Sequence, residues 1–260
     1  MGICSRSQAA KLIATGRVRL NGAVKYNPET PVNFGSDRIA VDGHAAVAAG
    51  KVYLLLNKPR GAVTTASDEK GRATVYDFLP PGSRPAKDPS QIRAEDDAAS
   101  WIAPVGRLDK ASEGLLLLTN DSEWAARILA PDAHLDRTYH VQIGQVAGDP
   151  QLASLQQGIE SNGEILHAKR ADLLRSGEKN SWLEVVLDQG KNRHIRRMLE
   201  ALGVEVLRLV RVAIGPLALG DLAKGASRSL TRAEKKMLDR AMTSRGQTPA
   251  AQTPLSAHVR

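Results

Sequence analysis

The chain is short of the residues that carry whole classes of chemistry. It has one cysteine, Cys4, in 260 residues, which excludes an intrachain disulfide and a thiolate metal cluster and fits a reducing compartment. Its six histidines show no paired metal-ligand spacing, so no metal is expected. Aromatics make up 3% of the chain, with only two Phe and four Tyr, so an aromatic inside a motif carries weight. The longest apolar runs, Val52–Leu56 and Leu115–Leu118, fall far below the roughly 20 residues a bilayer span needs. No signal-peptide pattern opens the chain. A cytoplasmic protein without membrane contact is the expectation.

What the chain does have is positive charge. Lys and Arg number 36 against 28 Asp and Glu, a net charge of +8, which suits a polyanionic partner where the basic residues cluster. The length can bury a substantial core and holds one large domain or two modest ones.

The stretch Pro104–Asp121 organises the rest. A Pro/Gly-punctuated loop carrying Arg107 and Asp109 runs into four leucines, Leu115–Leu118, which suit a strand buried on both faces. Asn120-x-x-Glu123 predicts a capping box for a following helix, ended at Pro131. On the residues alone, Arg107 and Asp109 fit an ordinary loop ion pair as well as a reactive site.

In chain order, Ser5–Gly16 predicts a short helix. Arg17–Leu20, the type I′ turn Asn21-Gly22, and Ala23–Lys25 predict a hairpin, and Arg38–Val41 a further strand. Ala45–Gly50 is a small-residue linker. Val52–Leu56 is a strand leaving into Lys58-Pro59-Arg60-Gly61, and Arg72–Leu79 predicts a helix. Residues 80–100, rich in Pro and charge, read as a flexible insertion. Arg137–Ile143 alternates as a strand, and a helix and strand region follow over Leu152–Leu174. Trp182–Leu187 is another strand. Lys191–Gly203 is a helix with Asn192 as N-cap and Ile195, Met198, Leu199 and Leu202 on one face; Arg193, Arg196 and Arg197 lie off it. Such arginines suit a solvated face or an anionic partner, carboxylate or phosphate. Val204–Leu209 and Val210–Ile214 are closing strands, and Thr231-x-x-Glu234 caps a last helix to about Met242.

Four segments, in order, resemble one family. Asn57-Lys58-Pro59, Gly106-Arg107-Leu108-Asp109 through Thr119, Arg137-Thr138-Tyr139-His140-Val141 and Asn192-Arg193-His194-Ile195-Arg196-Arg197-Met198 closely resemble the motifs of the RsuA-type family of RNA pseudouridine synthases. Two positions depart from that pattern: Arg137 replaces the usual Lys and His194 the usual Gln. Residues 5–22 resemble an S4 domain, a small RNA-binding module. The first helix of that module, of the type Arg-Leu-Asp-Lys-Phe-Leu, has no counterpart after Met1, so a truncated module or a start upstream is expected.

The resemblance implies an α+β fold: an S4-like module over 1–47 and a catalytic domain over 48–242 with a mixed, mostly antiparallel sheet flanked by helices and loops; residues 243–260, with few large apolar groups, are expected to be a disordered tail. It implies isomerisation of a uridine in ribosomal RNA, 23S in preference to 16S, by a monomer. Asp109 is the implied catalytic residue, Tyr139 lies beside the target uracil, and Arg196 pairs with Asp109. Arg107 takes the space left by the flipped nucleotide. Lys58, Arg60, Arg193 and Arg197, with Arg6, Lys11, Arg17 and Arg19 of the small module, hold RNA. The reaction needs no redox change or phosphate donor, so no cofactor is expected. Two other readings compete: a non-catalytic RNA-binding or assembly factor on the same fold, and a glycoside hydrolase pairing Asp109 with Glu113.

Overall fold

A computed structural model of the chain describes residues 4–33, 35–46, 50–66, 68, 70–81, 83 and 101–243. Most of the insertion expected over 80–100, and the tail beyond Thr243, lie outside the described residues.

The N-terminal part begins with α1 (Arg6–Ala14), capped reciprocally: Gln8 N donates to Ser5 Oγ at 3.2 Å and Ser5 N to Gln8 Oε1 at 3.1 Å. Then come β1 (Val18–Leu20), β2 (Ala23–Lys25), β3 (Ile39–Val41) and β4 (His44–Ala45), in an antiparallel sheet of order β2-β1-β3-β4. Asn21 and Gly22 both have positive φ, 52° and 84°, as a type I′ hairpin requires. Leu12, Val41 and Ala46 form a small core under α1.

The larger part starts with β5 (Tyr53–Lys58), β6 (Ala103–Pro104) and β7 (Glu113–Thr119), followed by α2 (Ser122–Leu129) and β8 (Arg137–Ile143). Next are α3 (Asp149–Gln157), the hairpin β9 (Ile159–Ser161) and β10 (Glu164–Leu166), then β11 (Arg170–Ser176) and β12 (Ser181–Leu187). The chain closes with α4 (His194–Ala201), β13 (Val206–Ile214), β14 (Leu217–Ala218), β15 (Ser227–Ser229) and α5 (Arg232–Thr243). Nine of these strands form one sheet, in the order β11-β12-β8-β13-β7-β5-β15, with β14 on β13 and β6 on β7. Every pairing is antiparallel except β7 with β13.

That one parallel joint explains the glycine of the central motif. Gly114 faces Arg211 across it, with φ +101°, and a Cβ there would stand 2.2 Å from the Arg211 carbonyl oxygen. Only glycine lets the two strands approach so closely. The leucines beside it are explained by the sheet's two covered faces. Leu116 and Leu118 pack with Val75, Tyr76 and Ile102 on one side; Leu115 and Leu117 pack with Trp124, Ile128 and Leu238 on the other. Each buried leucine contributes about 2 kcal/mol, so β7 is anchored on both faces, and the loop before it starts from a rigid strand.

Local details differ from expectation at four places. The N-cap of α2 is Asp121, which accepts from Trp124 N at 3.2 Å, because Asn120 is drawn off to Val52 N and to the Gly50 carbonyl. The helix predicted over 72–79 is one 3-10 turn, Val75–Phe78, since the backbone before it pairs with Val63. The N-cap of α4 is Arg193 in a left-handed conformation, φ 48°, not Asn192, and Leu202 ends that helix 36% exposed, off its buried face. The two closing strands are a single one, β13.

Candidate active site

A cleft of about 600 Å³ opens between the loop before β7, strands β8 and β13, and the segment leading into α4. Asp109, Arg107, Tyr139, Arg193, Arg137, Arg211 and His194 all line it. The volume is that of a small-ligand pocket.

The loop that carries Asp109 is held by its backbone. Gly106 turns it with φ +75°, and Leu108 anchors it, buried. From there each of five consecutive carbonyls has a donor from a distant segment or a neighbouring turn. Thr64 Oγ1 donates to the Leu108 carbonyl at 2.7 Å, and Gly61 N to that of Lys110 at 2.8 Å. Lys58 Nζ donates to the carbonyls of Asp109 at 3.1 Å and Ser112 at 2.9 Å, and Ser112 N also reaches Asp109 O at 3.0 Å. Arg196 Nη2 donates to the Ala111 carbonyl at 3.1 Å. Hydrogen bonds to an ionised donor are worth about 1.5–3 kcal/mol each, so the backbone under the Asp109 carboxylate is fixed.

This changes the part played by three predicted residues. Lys58 is fully buried, and Nζ also bonds the Pro59 carbonyl at 3.2 Å, so its ammonium is spent on the loop backbone. Burial pushes its ammonium down to about 8, against the pull of Asp109 and Glu113. Arg196 forms no direct ion pair with Asp109 among the described residues. It does meet the predicted segment, through Ala111, and Asp109 lies close enough to act on its charge; burial and Arg193 both lower its pKa. Arg197 turns the other way, donating to Ser161 O at 2.6 Å and Glu164 Oε2 at 2.9 Å, where it ties α4 to the β9–β10 hairpin. Its charge is compensated there, as that of Arg17 is by Asp42.

The remaining basic residues keep surface positions. Arg107 and Arg193 are exposed at the cleft. Arg60 is exposed and donates to the Leu207 carbonyl at 3.2 Å. Arg6, Lys11 and Arg19 are exposed on the small module, while Arg17 is clamped to Asp42 by bonds of 2.9 and 3.1 Å. Glu113 is also committed, to Arg208 at 3.1 Å and Lys224 at 2.7 Å, and is 3% exposed. Burial raises its pKa, but the two cations outweigh it and hold the carboxyl below its ordinary value. It is not free to act as the second carboxylate of a glycosidase.

Tyr139 is buried at 8% exposure on β8, with Arg137 two residues before it on the same strand face and Arg211 directly across on β13. Arg211 was missed on the sequence, although a lone charge inside Leu209-Val210-Arg211-Val212 is a signal. Among residues confined to apolar strands, a buried arginine needs an acceptor or an anion. Burial lowers the pKa of His194, and Lys191 acts the same way. Among the described residues no group of three or more His, Cys, Asp or Glu could hold a metal, and no helix is long and apolar enough to cross a membrane.

Comparisons with known proteins agree with this arrangement. A family profile described as "RNA pseudouridylate synthase" matches residues 52–201, and one described as "S4 domain" matches residues 1–39. The "Ribosomal large subunit pseudouridine synthase B" of Bacillus subtilis (strain 168) is 37% identical over 240 residues, 91% of each chain. An "Uncharacterized RNA pseudouridine synthase" of Aquifex aeolicus (strain VF5) is 35% identical over 238 residues, 91% of this chain and 89% of that one. A solved structure described as "Crystal structure of pseudouridylate synthase" superposes with a TM-score of 0.61 at 29% identity, over 90% of this chain and 94% of that one. With a cleft lined by three of the four motif segments, and a matching profile across most of the larger domain, the chain belongs to the RNA pseudouridylate synthase family.

Proposed function

We propose that this enzyme converts a uridine of large-subunit ribosomal RNA to pseudouridine, with the Asp109 carboxylate as its catalytic group. The observation that carries the reading is the backbone cage: five pinned carbonyls under one carboxylate, in a cleft shared with Tyr139. Preorganisation of that kind is what a reacting group requires. The Bacillus subtilis relative is named for the large ribosomal subunit, which favours the same RNA here.

The isomerisation breaks C1′–N1, joins C1′ to C5, removes the C5 proton and places a proton on N1. One carboxylate can start it by three routes: attack on C6 of the base, attack on C1′, or abstraction of a C2′ proton. Extruding the nucleotide costs a few kcal/mol; stacking on Tyr139 and Arg107 in the vacated space offset that. Arg193 and Arg60, with Arg6, Lys11, Arg17 and Arg19 of the small module, contribute phosphate affinity with little sequence choice. Lys58 and Arg196 are positioning residues that act through the loop. The enzyme works as a monomer in the cytoplasm and needs no cofactor.

The test uses purified protein and a large-subunit ribosomal RNA transcript. Asp109→Asn abolishes pseudouridine formation while leaving the Kd for RNA within about threefold, because one loop carboxylate contributes little to phosphate binding. An active Asp109→Asn enzyme refutes the assignment. Wild-type protein that binds the transcript but forms no pseudouridine identifies the non-catalytic binding factor instead.

A further inference from the structure

Two arginines that line the cleft, one buried and one half-buried, form no ion pair among the described residues. Arg211 is 4% exposed; its Nε donates to the Leu115 carbonyl at 2.7 Å, while its Nη2 is buried without a hydrogen-bond partner. Arg137, half-buried, reaches only the Leu135 carbonyl, at 3.4 Å. Neither forms an ion pair among the described residues; the nearby Asp136 carboxylate is given to Lys169 at 2.6 Å. Burial lowers the Arg137 pKa and the Arg211 charge acts the same way, while Tyr139 and Asp136 pull against them. Both line the cleft, and the strand register sets them on either side of Tyr139, Arg211 directly across from it and Arg137 two residues before it. A buried N–H without a partner is costly, and a second guanidinium without an ion pair in the same cleft adds to that. A site that keeps such groups has a use for negative charge at that spot.

We propose that Arg211 Nη2 donates to the O4 oxygen of the target uracil, with Arg137 supplying the second positive charge, so that the pair stabilises the negative charge the base acquires during the reaction. This rests on the pseudouridine-synthase reading above. O4 is chosen because it gains charge on every route. Addition of the carboxylate to C6 moves an electron pair through C5 to O4. Attack on C1′, or loss of the C2′ proton to give a glycal, releases the pair of the C1′–N1 bond to N1, from which it spreads to O2 and O4. In each case C1′–N1 is broken, the charge leaves O4 when C5 bonds to C1′, the C5 proton departs and N1 is protonated; the carboxylate is released from C6 or C1′, or returns its proton to C2′. An N–H donor at O4 also disfavours cytosine, whose C4 amino group is itself a donor, so the same residue contributes to base choice.

The experiment is single-turnover pseudouridine formation on the large-subunit transcript, with uridine or 4-thiouridine at the modified position. Arg211→Lys keeps a charge and can keep the bond to the Leu115 carbonyl, but it loses the second N–H. It should slow the uridine reaction on the order of ten- to a hundredfold, the loss of one charge-assisted hydrogen bond. RNA affinity and the thermal midpoint should stay near wild type. Sulfur is a poor acceptor, so 4-thiouridine should slow the wild-type enzyme strongly and Arg211→Lys little further. Equal thio effects in the two enzymes would overturn the contact, as would an Arg211→Lys rate within twofold of wild type. If Arg211→Lys does not fold, the thio effect on wild type alone decides, and its absence refutes the proposal. A wild-type enzyme that modifies no uridine overturns the activity itself, and is thereby distinguished from wild-type turnover with an unaffected Arg211→Lys.

Discussion

Replacing Lys58 by methionine separates two roles that a lysine beside an RNA-modifying site could have. The side chains are of similar length, so packing in the fully buried site is kept, while the ammonium and its three donors are lost. Two carbonyls, of Pro59 and Ser112, lose their only donor shown here, whereas Asp109 O keeps Ser112 N. Two orphaned buried carbonyls cost about 2–6 kcal/mol. Against this stands relief from burying a charge. Depression from 10.5 to about 8 corresponds to roughly 3 kcal/mol. The net change therefore lies between about 1 kcal/mol of stabilisation and about 3 kcal/mol of destabilisation, and the protein stays folded. The loop does not keep its place, however, and a displacement of about 1 Å at a reacting group costs on the order of a hundredfold in rate. Single-turnover pseudouridine formation should fall by that factor, with RNA affinity and its salt dependence unchanged. The opposite outcome, weaker and less salt-sensitive binding with an intact rate, would mean that Lys58 touches phosphate, and the cage argument would fail.

The same lysine gives a pH dependence. Its folded pKa lies below the unfolded value, so between about 8 and 10.5 the unfolded chain binds more protons and this group's contribution to stability rises with pH. Below about 8 both states are charged and the full burial penalty applies. The rate moves oppositely, because a neutral amine has two N–H bonds for three carbonyls. A descending limb near pH 8 in the single-turnover rate is expected for wild type and should be missing in Lys58→Met.

Gly114→Ala should destabilise the protein by more than about 3 kcal/mol in denaturant unfolding, since the new Cβ meets backbone at 2.2 Å at a position with φ +101°; a loss under 1 kcal/mol would show that the β7–β13 joint yields easily. Arg193→Ala should weaken RNA binding and flatten its salt dependence by about one unit of slope with stability unchanged. Arg197→Ala should do the reverse, lowering the thermal midpoint by loss of its bonds to Ser161 and Glu164 and sparing the salt slope. Identical behaviour of the two variants would contradict their opposite orientations.

Much of this protein was legible from local pattern. Four leucines between turn signals announced a strand covered on both faces, Asn21-Gly22 announced its hairpin, and Thr231 with Glu234 announced the cap of α5, where Glu234 N donates to Thr231 Oγ1 at 3.1 Å. Turns, caps and periodicity depend on residues a few positions apart, so the linear order contains them. The motif order likewise brought Asp109, Tyr139 and the start of α4 together before any geometry was known, and they line one cleft. What the order of residues could not contain was the destination of each long cation. Lys58 and Arg197 read as RNA contacts, Arg196 as the direct partner of Asp109, and Arg211 was not singled out. Their roles were decided by which acceptor folding delivered: loop carbonyls for the first two, Glu164 and Ser161 for the third, the Leu115 carbonyl and an unfilled space for the last. Those partners lie about thirty to almost a hundred residues away in sequence. A charged side chain's function follows from its desolvation and its partner, and both exist only once the sheet has closed.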